Sequence, residues 1–102
     1  MAAFSKMTEA ERERLEMLIE EAGEIVTIGT KILRHGYTSY HPNDPAKVTN
    51  RDHLEREVGD LLTVFERMVS EGDVEGDVLM LDLNARWKSK LKWTHHQAGS
   101  PE

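Results

Sequence analysis

The stretch EREVGDLL, residues 55–62, decides the fold. Leu54, Val58, Leu61, Leu62 and Phe65 recur through it at three- and four-residue steps, the spacing of one helix face. Glu57 and Asp60 lie one turn apart beside that stripe, and Gly59 stands between them. A glycine inside a helix costs about 1 kcal/mol relative to alanine. A helix that carries two acids and a weakening glycine along its apolar edge has a reason beyond secondary structure.

Working outward, Asn50 reads as the N-cap of this helix, with Asp52 in its first turn. The helix runs to about Ser70, and Glu71-Gly72-Asp73 makes a turn. Upstream, Thr8-Glu9-Ala10-Glu11 is a capping-box pattern. Leu15, Leu18, Ile19, Ala22, Val26, Gly29 and Leu33 follow as one face of a long helix over residues 8–34, closed by His35-Gly36. Between the two helices, GYTSYHPNDPAKVT (36–49) is a loop rich in prolines and turn formers, and loops of this length are often functional. A third helical stretch is expected near 74–94, with Val78, Leu81, Trp87 and Leu91 buried and a break near Gly76 allowed. No strand pattern competes. The expected fold is all-α: a helical hairpin plus a C-terminal helix, one domain over residues 1–97 followed by a disordered tail at 98–102.

The chain has 102 residues, net charge −6, 38% hydrophobic and 31% charged residues. A domain this small buries a small core, which favours help from a second chain. The negative charge argues against a binder of nucleic-acid polymer, which needs a basic surface. No cysteine is present, so disulfides and thiolate metal sites are excluded. No apolar run approaches the ~20 residues that span a bilayer, and the N-terminus has no signal-peptide core, so no membrane partner and a cytoplasmic location are expected.

The acids are the chemical signal. The first helix carries EEAGE, with Glu20, Glu21 and Glu24; the second carries EVGD, with Glu57 and Asp60. Acids three apart lie about 60° from each other on the helical wheel, so each pair shares one side. Glu21 falls at the edge of the apolar stripe of the first helix, and Glu57 borders the stripe of the second. If the helices pack as a hairpin, four or five carboxylates converge. Converging carboxylates repel, and desolvation raises the cost. Hard divalent cations offset it with oxygen ligands, and Mg²⁺ favours a few carboxylates together with substrate phosphates. Acids three apart also occur on solvated faces, as Glu9, Glu11, Glu13 and Glu16 illustrate. Two such pairs on adjacent helices, each with an internal glycine, favour the metal reading. Gly29 suggests a close helix approach, and Gly59, off the stripe, suggests a second neighbour. Both fit a homo-oligomer with a four-helix-bundle core made from two chains.

Among the cations, Lys31 lies about 20° from Glu24 on the wheel, two turns on, and Arg34 follows. They either hold phosphate oxygens or complement the helix dipole. Lys88 and Lys92 share one side of the third segment and could reach phosphates; Arg86 and Lys90 read as a solvated face. His95 and His96, being adjacent, point apart and read as terminal. Tyr37, Tyr40 and His41 either stack on a base or pack the loop. There is no GxxxxGK[ST] loop, GxGxxG or HExxH, and no supported serine or cysteine nucleophile.

EExxE on one helix, a loop, then ExxD on the next resembles the all-α nucleoside triphosphate pyrophosphohydrolases of the MazG type. The run LIEEAGEI…KILRHG, then HP, TNRDHLEREVGDLL and KLKWTHHQ is similar to small phage and bacterial MazG-like proteins over residues 12–97. The resemblance implies Mg²⁺-dependent cleavage between the α and β phosphates, with Mn²⁺ substituting. A nucleoside triphosphate, a dNTP and for phage-type members dGTP, would yield the monophosphate and pyrophosphate. It implies Glu21, Glu24, Glu57 and Asp60 as metal ligands. Glu20 would bind a further ion or orient the attacking water, and a carboxylate such as Glu24 would accept its proton. Lys31, Arg34, Lys88 and Lys92 would be on the phosphates, and Asn50 near the sugar or base. It also implies a homodimer or tetramer. The competing reading is a non-catalytic helical module with an acidic face for a protein partner. The preferred base is beyond what the residues reveal.

Overall fold

A computed structural model of the chain describes residues 6–77 and 82–102. Three helices form, α1 (Glu9–His35), α2 (Asn50–Ser70) and α3 (Leu83–Lys90), followed by a 3-10 turn, Leu91–Trp93. The described residues are all-helical, with one isolated bridge between Tyr40 and Thr49. None of the described helices is long and apolar enough to cross a membrane.

Both long helices start with reciprocal caps. The Thr8 hydroxyl accepts from the Glu11 N–H, and the Glu11 carboxylate accepts from the Thr8 N–H, each at 3.1 Å. Thr49 and Asp52 repeat the arrangement at 3.2 and 3.0 Å. The cap of α2 is therefore Thr49 rather than Asn50. Asn50 instead donates from its side chain to the Gly36 carbonyl, tying the two ends of the loop. Gly36 ends α1 at φ 87°, a left-handed backbone, with its N–H on the Ile32 carbonyl.

The helices pack as an antiparallel hairpin whose buried residues are Ile28, Val64 and Met68. The α1 seam is Arg14, Leu18, Glu21, Ile25, Ile28 and Ile32, all at least half-buried. This corrects the sequence expectation, which placed the packed stripe on Leu15, Leu18, Ile19, Ala22, Val26, Gly29 and Leu33: Leu18 and Gly29 are partly buried, and the other five are exposed. Those side chains lie one residue further round the helix and are open: Ile19 is 62% exposed, Val26 66% and Leu33 88%. The physical reason is that α1 has two apolar ridges, and the three isoleucines fill the seam against α2. On α2 the seam is His53, Leu54, Glu57, Leu61, Val64 and Met68, which leaves Val58 and Leu62 (51%) open. In an antiparallel pair, the position following each seam residue turns to the same side. The open residues of both helices therefore form one apolar face.

At one end of the hairpin, Asp73 follows α2 and receives a two-pronged hydrogen bond from Arg14, at 2.6 and 2.7 Å. The turn there relies on Gly72 and Gly76, both at positive φ. A Cβ at Gly76 would meet Val69 at 2.8 Å, so a glycine is needed. A Cβ at Gly23, Gly29 or Gly59 would meet nothing within 4 Å. No close helix approach among the described residues explains these three.

The C-terminal expectation is revised too. The helix is short, Trp87 is exposed, and Val78 and Leu81 lie outside the described residues. Among the described residues, α3 packs only on the 3-10 turn after it. Its eight residues carry no continuous apolar stripe to bring it onto the hairpin. The tail, expected to fray, turns back: the Ser100 and Thr94 hydroxyls lie 2.6 Å apart, and Ser100 accepts from the Gln97 N–H.

Candidate metal and phosphate site

Midway along the seam, Glu21 of α1 meets Glu57 and Asp60 of α2. One carboxylate oxygen from each lies within 4.8 Å of the others. Glu21 and Glu57 are half-buried and Asp60 is exposed. They converge because Glu21 and Glu57 hold seam positions that an apolar residue would ordinarily take, and Asp60 sits one turn beyond Glu57 on the same side. The Glu21 carboxyl is held above its ordinary range, first by desolvation and then by the negative fields of Asp60, Glu57 and Glu24. No cationic side chain pairs with any of the three among the described residues. Three hard oxygen donors, crowded and lacking a protein cation, fit Mg²⁺ or Mn²⁺.

Glu24 stands one turn from Glu21 and lines a small cavity of about 130 Å³ with Thr27, Ile28, Lys31, His53 and Glu57. It borders the carboxylate trio without joining it. Glu20 is exposed and outside the trio. A larger cavity of about 430 Å³ lies between the hairpin and the 36–49 loop, where Lys31, Arg34 and Asn50 line its wall together with His41, Asp44 and His53. Three of the five expected substrate contacts thus line one cavity, and of them only Lys31 also lines the small cavity with Glu24 and Glu57. Lys88 and Lys92 are not: they lie on the C-terminal segment, and the Lys92 ammonium sits 5.2 Å from the Trp93 ring.

The loop that roofs the cavity is pinned at several points. The Asn50 N–H donates to Ser39 and the Arg51 N–H to Tyr37, both at 2.9 Å. The Asp44 carboxylate accepts from Ala46 and Val48 N–H groups, at 2.9 and 3.0 Å, which lowers its pKa. The Arg51 guanidinium lies 5.3 Å from the Tyr37 ring and orients that side chain, while Tyr40 belongs to the cavity wall.

Sequence reasoning missed His53 and the Arg14–Asp73 clamp. The first was visible as a histidine four residues before Glu57, hence on its face of α2. The second has no local signal, because its partners are 59 residues apart.

The chain matches no family model, and comparisons with curated proteins and with solved structures find no match. What fold and site define by themselves is an all-α hairpin with a three-carboxylate cluster and, further along the same two helices, a basic cavity.

Proposed function

We propose that the protein is a divalent-metal-dependent nucleoside triphosphate pyrophosphohydrolase, converting a (deoxy)nucleoside triphosphate to its monophosphate and pyrophosphate. The observation that carries this reading is the meeting of Glu21, Glu57 and Asp60 within 4.8 Å, beside a cavity lined by Lys31 and Arg34. Acid and base are segregated along one groove. Carboxylates at one end would hold Mg²⁺ or Mn²⁺, and cations at the other would hold phosphate oxygens. When bound, the ion supplies Lewis-acid polarisation of a phosphoryl group and a more acidic water. Glu24, at the border of the trio, is placed to accept a proton from attacking water. Lys31 and Arg34 stabilise the departing pyrophosphate. Glu20 is retained as an outer carboxylate that orients water. Lys88 and Lys92 reach the phosphates only if the C-terminal segment docks on a hairpin.

A homodimer or tetramer belongs to the same reading. Ile19, Val26, Leu33 and Leu62 stand exposed on one face of the hairpin, an apolar surface that a second copy would cover. Pairing the open faces of two hairpins would make a four-helix bundle and cover Ile19, Val26, Leu33 and Leu62. Val26→Glu on that face is expected to shift the sedimenting species to monomer. A wild-type protein that sediments as a stable, active monomer overturns the oligomer.

The function is tested by incubating the protein with Mg²⁺ and a panel of dNTPs and NTPs and analysing the products. Monophosphate plus pyrophosphate is expected, from a cytoplasmic enzyme of nucleotide pools; a preference for dGTP would refine it. Orthophosphate and a diphosphate would overturn the bond assignment. No thermal shift with metal and nucleotide together would favour a non-catalytic module.

A further inference from the structure

Neither the metal cluster nor the expected phosphate contacts include His53, yet its position is singular. Among the described residues, only Lys31 and His53 line both cavities, one from each helix of the hairpin. His53 is half-buried and lies one helical turn before Glu57, about 6 Å along the α2 axis. Its imidazole has no protein hydrogen-bond partner among the described residues, whereas His41 Nδ1 already accepts from the Asn43 N–H at 3.1 Å. Basic side chains dominate the larger cavity: Lys31, Arg34, His35, His41 and His53 stand against a single acid, Asp44. Both Asp44 oxygens are taken by backbone N–H groups. An elongated anion held by the carboxylates through a metal would leave Glu57, pass between Lys31 and His53, and enter this cavity.

We propose that His53 senses the number of phosphates in the substrate. Its imidazole N–H donates to an oxygen of the phosphate chain where the chain crosses from the carboxylate end of the groove into the basic cavity. Lys31 neutralises the same stretch from α1. Monophosphates end before reaching His53; tripolyphosphate chains reach it. This inference rests on the hydrolase reading for its substrate but on the two cavities for its geometry. His53 is a binding residue here, so it acts on KM rather than kcat.

The test uses the full chain and the inorganic anions themselves. Calorimetric titrations with orthophosphate, pyrophosphate and tripolyphosphate, each with Mg²⁺, would be run on wild type, His53→Phe and His53→Gln, after circular dichroism shows equal helix content. A single hydrogen bond to a charged group corresponds to about a tenfold change in affinity or more. His53→Phe should lose about that on tripolyphosphate and almost nothing on orthophosphate. His53→Gln, which keeps an N–H donor, should recover most of the loss. With a hydrolysed dNTP, KM should rise by a similar factor while kcat holds. Equal binding of tripolyphosphate by wild type and His53→Phe overturns the proposal, as does an equal loss on all three anions. Selective loss on tripolyphosphate by a protein that hydrolyses no nucleotide would sustain the anion contact and end the hydrolase reading. Turnover of a dNTP with unchanged anion binding in the variants would do the reverse.

Discussion

Along its length the α1–α2 seam is built in two ways. Toward the Asp73 end it is conventional: Leu18, Leu61, Val64 and Met68 fill the interface, and the one charge pair, Arg14–Asp73, is fully matched. Toward the loop end the same seam holds Glu21 and Glu57 face to face, with Asp60 and Glu24 beside them and two cavities beyond. The first half satisfies its polar groups and excludes space. The second leaves like charges unpaired and keeps space open. Val64 and Met68 are buried in the first half and Ile28 in the second, so packed side chains flank the crowded acids on both sides.

The contrast is most sharply tested by Glu57→Gln. It should lower Mg²⁺-dependent dNTP turnover by at least about a hundredfold, with unchanged circular dichroism. Unaltered turnover would remove Glu57 from the site. Met68→Ala, in the packed half, should do the opposite. Unfolding in denaturant should show a loss of about 2–5 kcal/mol, while kcat on the folded protein stays near wild type. A comparable loss of kcat would mean that the halves are not separable. Glu21→Gln should come next. Removing one of three crowded carboxylates should raise the melting temperature of the metal-free protein by a few degrees and abolish the further rise that Mg²⁺ gives to wild type. The sign follows from the raised Glu21 pKa: the metal-free fold loses stability as pH rises through that titration, and the substitution removes the dependence. A lower metal-free melting temperature in the variant would contradict the crowding. Smallest in effect is Arg14→Gln, which removes the two-pronged pair with Asp73. Arg14 holds the Asp73 carboxyl below its ordinary range. The stability this contributes is present above the unfolded pKa and lost as pH falls through the lower, folded one. Wild type should therefore melt above Arg14→Gln near neutral pH, with the gap closing as pH falls through the Asp73 titration, and identical melting temperatures at neutral pH would show that the pair contributes nothing.

The capping patterns at Thr8-Glu11 and Thr49-Asp52, the Gly36 stop and the turn at Gly72 are local, and the number and limits of the two long helices follow from them. The acids at Glu21, Glu57 and Asp60 were legible as pairs at helical spacing, and their convergence needed only an antiparallel hairpin. Lys31 was legible as a cation on the Glu24 side of the first helix, and Asn50 as the residue that opens the second, though Asn50 serves the Gly36 carbonyl rather than the helix cap. The wheel put Glu21 at the edge of the apolar stripe and Glu24 beyond it, and Glu24 accordingly borders the trio while Glu21 joins it.

Local chemistry in this chain thus determined where helices begin and end and which residues could ligate a cation, because caps, turns and period are set by neighbours within a few positions. Which of the two apolar ridges of α1 enters the seam was decided only by the tertiary structure. The ridges are about 100° apart on the wheel, both are apolar, and the choice depends on which of them fits the facing surface of α2, where Ile28 meets His53 across a small cavity. That rotation puts Glu21 in the interface, leaves Ile19, Val26 and Leu33 on an open face, and sets His53 at the crossing between the two cavities.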